Sequence, residues 1–349
     1  MELLSEYGLF LAKTVTIVAA ILLIMTAAVA NAMKQKKEGK GHIVVSHLND
    51  ELEHFSHEIR HAVEDEETLK QAEKADKKKK KQEKKARKKT DGKDERKRLY
   101  VIDFDGDPKA SQVDELRHAI TAVLSMARKD RDEVLLRLES PGGMVHAYGL
   151  AASQLHRIRA HEVPLTICVD KVAASGGYMM ACLASRLIAA PFAYIGSIGV
   201  IFQMPNFNRL LKDNNVDFEQ ITSGEYKRTL TMFGENTDKG RQKLTEEIQE
   251  AHQLFKDFIR EARPDMDIEK LATGEVWYGS KALSLGLIDE ISTSDEVIVD
   301  ACADRDVYHV SYERKKSISD KLGKVVESSL DNTLMRWLQR SKNRNDLVS

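Results

Sequence analysis

Five consecutive lysines, Lys77 to Lys81, stand in a stretch that no protein core can absorb. From residue 39 to residue 98 the sequence has almost no apolar periodicity. It is acidic around residues 51–67 and lysine-rich beyond them, with Lys84, Lys85, Arg87, Lys88 and Lys89 following the run. Such a segment buries too little apolar surface to offset the entropy of ordering it. The chain is therefore divided: an apolar segment over 1–33, a charged linker over 34–98, a globular domain over 99–300, and a strand with a polar helical tail over 301–349. The formal net charge of −1 reflects cancellation between blocks, so it says little about partners, whereas the blocks themselves say more.

Residues 9–32 are apolar apart from Lys13, Thr14, Thr16, Thr26 and Asn31. A membrane-spanning helix needs about 20 such residues, and Lys13 is near enough to one end to reach the interface. Small residues at Ala28, Ala30 and Ala32 resemble a cleavage site, but Glu2 and Glu6 occupy the place of a signal peptide's basic region. An uncleaved single anchor in the lipid bilayer is expected. Lys34, Lys36, Lys37 and Lys40 follow at once, and the positive-inside rule holds that side in the cytoplasm. The lysine block suits anionic lipid headgroups. It lacks the aromatic residues that stack on bases, so nucleic acid is not an expected partner. The cysteines, Cys168, Cys182 and Cys302, form no close pair, which argues against a disulfide framework and a cysteine metal site.

The linker contains a zinc-protease pattern, His57-Glu-Ile-Arg-His61, in which two imidazoles would share a helix face and Glu58 would activate a bound water. Its neighbours are Glu51, Glu53, Arg60, Glu64, Asp65 and Glu66, which build no dry cavity. A chance match on a charged helix is the expectation, and no metal or cofactor is expected. Asp103, Asp105 and Asp107 are spaced like the start of a calcium loop, but Pro108 stands where the turn glycine belongs.

From Leu99 the texture changes. Strands are expected over 99–104, 134–138, 164–169 and 187–190, with an extended stretch over 217–222. Helices are expected over 111–127, capped by Ser111, and over 145–160, 178–184, 206–214 and 238–262. Residues 193–200 read as a Gly/Ser-rich loop, and 276–289 as a short helix returning to the core. Strands alternating with helices give an α/β domain with a mainly parallel sheet. Ser175 falls where the strand at 164–169 gives way to a helix, next to Gly176 and Gly177. Small residues allow a sharp turn and close approach there, and a helix start offers free N–H groups. A serine so placed can attack a carbonyl while the next amide helps hold the oxyanion; the competing role is a simple N-cap. For a base, His146 is the best-placed histidine, and His252 lies inside a long amphipathic helix. Lys171 and Lys227 are the lysine candidates, and the residues by themselves do not rank them.

Taken in order, Phe104-Asp-Gly-Asp107, Glu139-Ser-Pro-Gly-Gly143, Ala173-Ala-Ser-Gly-Gly-Tyr178, Ile195-Gly-Ser-Ile-Gly-Val200, Ser223-Gly-Glu-Tyr-Lys227, Val276-Trp-Tyr-Gly279 and Leu285-Gly-Leu-Ile-Asp289 resemble the catalytic core of the signal-peptide-peptidase A family of serine peptidases. The anchor, linker and tail resemble its SohB branch most. The resemblance implies a ClpP/crotonase-like α/β spiral over the catalytic domain. It implies that Ser175 is the nucleophile, Lys227 the general base, Ser197 the residue that orients the lysine, and Gly143 and Gly176 the oxyanion hole. It further implies peptide or protein substrates, ring-like homo-oligomers in which serine and lysine can come from neighbouring protomers, and a bacterial inner membrane. Better-known members face the periplasm, whereas the charge rule above favours the cytoplasm. A zinc metalloprotease through His57 and His61, and a non-catalytic membrane scaffold, are the alternative functions.

Overall fold

The computed structural model describes residues 41–71 and 96–314, together with Lys13, Val15, Thr16, Lys74 and Lys78. The expected anchor (those three residues apart), most of the lysine block, and the tail after residue 314 lie outside the described residues. No helix among the described residues is long and apolar enough to cross a membrane.

The chain from Ile43 to Tyr312 forms one compact unit. Its strands are β1 (His42–His47), β2 (Arg98–Asp105), β3 (Glu133–Glu139), β4 (Leu165–Val169), β5 (Val172–Ala174), β6 (Arg186–Ala189), β7 (Tyr194–Gly196), β8 (Val276–Tyr278), β9 (Glu290–Ile291) and β10 (Asp306–Glu313). Its helices are α1 (Leu48–Val63), α2 (Val113–Leu124), α3 (Val145–Ala160), α4 (Gly176–Ala181), α5 (Asn208–Asp213), α6 (Asp238–Ala262), α7 (Ile268–Leu271), α8 (Gly279–Ser284) and α9 (Ser294–Asp304).

The main sheet has the strand order β1-β10-β2-β3-β4-β6-β9, and the pairs from β10 to β9 are parallel. Parallel strands need both faces covered, and the sequence supplies this by alternation. Ile102, Phe104, Leu136, Leu138 and Ile167 join one core with Leu116, Ile120, Leu155 and Ile158 from α2 and α3. Val101, Leu135, Cys168, Ile188 and Val307 point the other way, against Ile298 and Ala301 of α9. A second, smaller sheet has the order β5-β7-β8. Ser140 joins the two by bridging to Ala173.

Three local differences from the sequence reading have physical causes. Within the stretch read as linker, β1 takes the sheet position beside β10, and Leu48 at the start of α1 packs against the second core. Asn49 clamps this segment: its Nδ2 donates to the carbonyls of Cys302 (3.0 Å) and Arg305 (2.9 Å), and its Oδ1 accepts from Val307 N (2.8 Å). Because α1 buries none of its residues fully, its composition looks like linker although its first turn is held. The helix expected from Ser111 starts instead at Val113 behind Gln112. Ser111 gives its backbone N–H to the Asp107 carboxylate (2.8 Å) and so closes a turn. The loop at 193–200 contains β7, whereas 217–222 forms no strand.

Candidate active site

The Ser175 turn is built by backbone pairing. Ser140 N–H donates to Val172 O (2.8 Å), and Ala174 N–H to Ser140 O (3.0 Å), so the loop after β3 runs beside β5. β5 also pairs in parallel with β7, Ala174 opposite Gly196, and Ser175 N–H donates to Gly196 O (2.8 Å). Ser175 then turns with φ 53° and ψ −118° into α4. A positive φ at a non-glycine residue costs about 1–3 kcal/mol and persists only where the surroundings impose it. Ser197, next after Gly196, also has positive φ, at 50°, and its N–H donates to Glu275 O (2.6 Å). Two serines in strained backbone therefore flank one hydrogen bond.

The Ser140-Pro-Gly-Gly143 loop lies against this turn. Gly142 has φ +88°, and a Cβ there would stand 2.6 Å from Ala174 O and 2.8 Å from both Gly176 N and Ser175 Cβ. Only glycine gives that backbone shape and that approach. Gly176 N–H opens α4, where the helix has no carbonyl to offer it. Gly143, next after Gly142, is exposed and lies against Pro108.

Of the residues singled out in the sequence, the fold brings together Ser175, Ser197, Gly143 and Gly176. Lys227 lies in a loop, its N–H donating to Gly224 O (3.2 Å), with an exposed side chain. Among the described residues its Nζ makes no hydrogen bond to either serine. Lys171 is engaged elsewhere, paired with the Glu139 carboxylate at 2.8 Å. His146 is exposed on the first turn of α3, and His252 lies within α6. His57 and His61 do share a face of α1, their rings edge to face at 4.4 Å. No group of three metal-ligating side chains occurs among the described residues.

Sequence reasoning did not single out Tyr148. It is wholly buried beneath the site and donates to Asp107 O (2.9 Å). A bulky phenol between the small residues Ala147 and Gly149 was the available signal.

The chain is similar to known peptidases over most of its length. The family described as Peptidase family S49 N-terminal matches residues 2–155, and Peptidase family S49 matches residues 157–308. A Haemophilus influenzae protein named "Probable protease SohB" is 48% identical over 345 residues, covering 96% of each chain. A protein of the same name from Buchnera aphidicola subsp. Acyrthosiphon pisum is 45% identical over 338 residues, covering 96% of this chain and 98% of its own. More distant is "Protease 4" of Haemophilus influenzae, 26% identical over 208 residues, which are 58% of this chain and 34% of that one.

Proposed function

The chain belongs to peptidase family S49, in its SohB branch, and on that premise we propose that it is a membrane-anchored serine endopeptidase working through a Ser175–Lys227 dyad. The observation that carries the reading is the Ser175 turn: a strained serine at a helix start, with Gly142 and Gly176 N pressed against it. Ser175 Oγ attacks the substrate carbonyl carbon while its proton passes to Lys227 Nζ. The oxyanion is held by the N–H groups of Gly143 and Gly176. The intermediate collapses, the C–N bond breaks, and Lys227 returns the proton to the leaving amine. Water then repeats the sequence on the acyl ester and frees Ser175. Ser197, close by through Gly196, orients the lysine.

A lysine acts as a base only where burial or a nearby cation strips its proton, and Lys227 is exposed in the protomer. A second copy would supply that setting. The lysine-bearing segment is itself poorly buried, with Ile201, Leu210, Phe218 and Ile221 exposed. We therefore take the active form as a ring-like homo-oligomer with a ClpP/crotonase-like spiral core in each protomer. Residues 9–32 hold it in a bacterial inner membrane, where it cleaves peptides or unfolded segments.

The test is labelling of the detergent-solubilised protein with a fluorophosphonate, followed by peptide mapping, alongside casein hydrolysis. Label on Ser175, and loss of both label and hydrolysis in Ser175→Ala, is the expected result. Hydrolysis surviving in Ser175→Ala overturns the proposal.

A further inference from the structure

We propose that Tyr148 is the positioning residue of the oxyanion hole, one side chain that fixes both of its amides from below. The inference rests on the functional reading above and adds a residue to it.

Tyr148 lies on the first turn of α3 and has no exposed surface; Ser140 has none either. Their hydroxyls are 2.5 Å apart. The direction of that bond is determined by its neighbours. The phenol also contacts Asp107 O at 2.9 Å, and a carbonyl can only accept. The single phenolic proton is therefore committed to Asp107 O, and Ser140 Oγ–H donates to Tyr148. Ser140 Oγ in turn accepts from Gly142 N–H at 3.1 Å. The result is a one-way chain, Gly142 N–H to Ser140 to Tyr148 to Asp107 O. Burial pushes the phenol's pKa up, so its proton stays in place across the working pH range.

This chain fixes the peptide ahead of Gly142. Gly142 is held at φ +88°, and the next peptide, which carries the Gly143 N–H, is joined directly to it. The loop is also anchored at its far end, where Met144 N–H donates to Pro108 O (2.9 Å) and Gly143 lies against the Pro108 backbone.

The other amide is set by the ring of the same residue. A Cβ added at Gly176 would collide with Tyr148 Cγ, Cβ (2.7 Å) and Cδ1 (2.8 Å). The first residue of α4 therefore rests directly on the ring. Gly106 closes the remaining side, since a Cβ there would fall 2.5 Å from the Tyr148 hydroxyl. The hydroxyl reaches the Gly143 side through Ser140, and the ring supports the Gly176 side. One rigid group thus bears on both sides, with the Pro108 backbone against Gly143 as a second support, as a two-donor hole requires, because the donors must meet the oxyanion's position rather than the substrate's.

The experiment uses the full chain in detergent and a quenched-fluorescence peptide that the wild type cleaves. Tyr148→Phe keeps the ring and removes only the link to Asp107 O and Ser140. Removing a whole oxyanion donor costs about 10²–10³ in kcat, so displacing one should cost about 10-fold, with KM within twofold. Inhibition by a peptide aldehyde, whose adduct carries an oxyanion, should weaken by the same factor, while binding of an uncleavable peptide stays unchanged. Ser140→Ala, which breaks the same chain at its other hydroxyl, should match it, and the double variant should be no worse than either single one. A Tyr148→Phe enzyme with kcat within twofold of wild type, or a loss carried equally by KM and uncleavable-peptide binding, overturns the inference. If Tyr148→Phe does not fold, Ser140→Ala decides by the same criteria. Ser175→Ala is the control: activity surviving there refutes the serine reading itself, whereas a dead Ser175→Ala with a normal Tyr148→Phe refutes only the role of Tyr148.

Discussion

The serine half and the lysine half of the proposed dyad are held by different means. Around Ser175, the side chains of Ser140, Tyr148, Ala173, Tyr178 and Ile195 are fully buried. Tyr178 reaches across to Leu287 O at 2.8 Å. Around Lys227, over residues 201–236, apolar side chains face outward, and Ile221 is 96% exposed. That segment is pinned by polar bonds, with Phe207 and Phe218 in ring contact with Phe233. Asn206 Nδ2 donates to Thr231 O (2.8 Å), Asn208 Nδ2 to Phe233 O (2.8 Å), and Phe207 N–H to Met232 O (2.7 Å). Lys239 pairs with Glu225 and stands 5.9 Å over the Tyr226 ring, tying the lysine loop to α6. The contrast teaches that one half is preorganised by its own core, whereas the other is organised locally and left without apolar cover.

The largest test of this contrast is chemical. Lys227→Ala and Lys227→Arg should each reduce casein hydrolysis by about 10⁴-fold or more, the scale of losing a member of a serine catalytic set, with the fold intact by circular dichroism. Arginine fails because it does not give up its proton. If serine and lysine come from neighbouring copies, random mixing of Ser175→Ala and Lys227→Ala chains should restore roughly a quarter of the sites, as a heterologous ring interface requires. Verified mixed oligomers without recovery would place the pair within one chain.

The next test is energetic. Leu155→Ala on the serine side should lower the unfolding free energy by about 2–5 kcal/mol, because Leu155 is wholly buried. Ile221→Ser should change it by less than about 0.5 kcal/mol, yet shift the oligomer distribution in analytical ultracentrifugation. Equal destabilisation by the two would erase the distinction. On a smaller scale, Ser175→Gly relieves the positive φ and should raise stability by about 1 kcal/mol in a urea titration while abolishing hydrolysis.

The smallest effect is pH-dependent. Burial opposes the Asp103 charge, but hydrogen bonds from His309 (3.0 Å) and Arg137 (2.6 Å) outweigh it and hold the carboxyl at about 2. The folded value thus lies below the unfolded one of about 3.9. The stabilisation is complete above that pH and is lost as pH falls toward 2. Asp103→Asn should cost about 1 kcal/mol or less at pH 7, since the pair is partly exposed. The gap from wild type should close near pH 2 in urea midpoints.

What the sequence showed plainly is what local chemistry dictates. The helices α3 and α6 match their expected spans, and strands β2, β3 and β4 match within a residue or two. The glycines beside Ser140 and Ser175 marked the site because turns and close approach select glycine at those positions. Less legible were contacts made at a distance. Nothing near Asn49 in the sequence shows that it caps α9 and receives β10, and nothing near Tyr148 shows that Asp107 lies over it. β7 was hidden by its Gly/Ser content, and its pairing with β5 and β8 defines it. The order of motifs supports Lys227 as the base more strongly than its surroundings in the protomer do.

The position of β1 has a consequence for how the chain is made. Its place in the sheet is next to β10, which separates it from β2, and Asn49 beside it is bonded to Cys302, Arg305 and Val307. A ribosome delivers β1 long before β10, so β1 lacks its neighbour in the sheet until β10 has been made. Closing so long a loop is slow. The edge of β2 stays open over the same interval, and open edges recruit other chains.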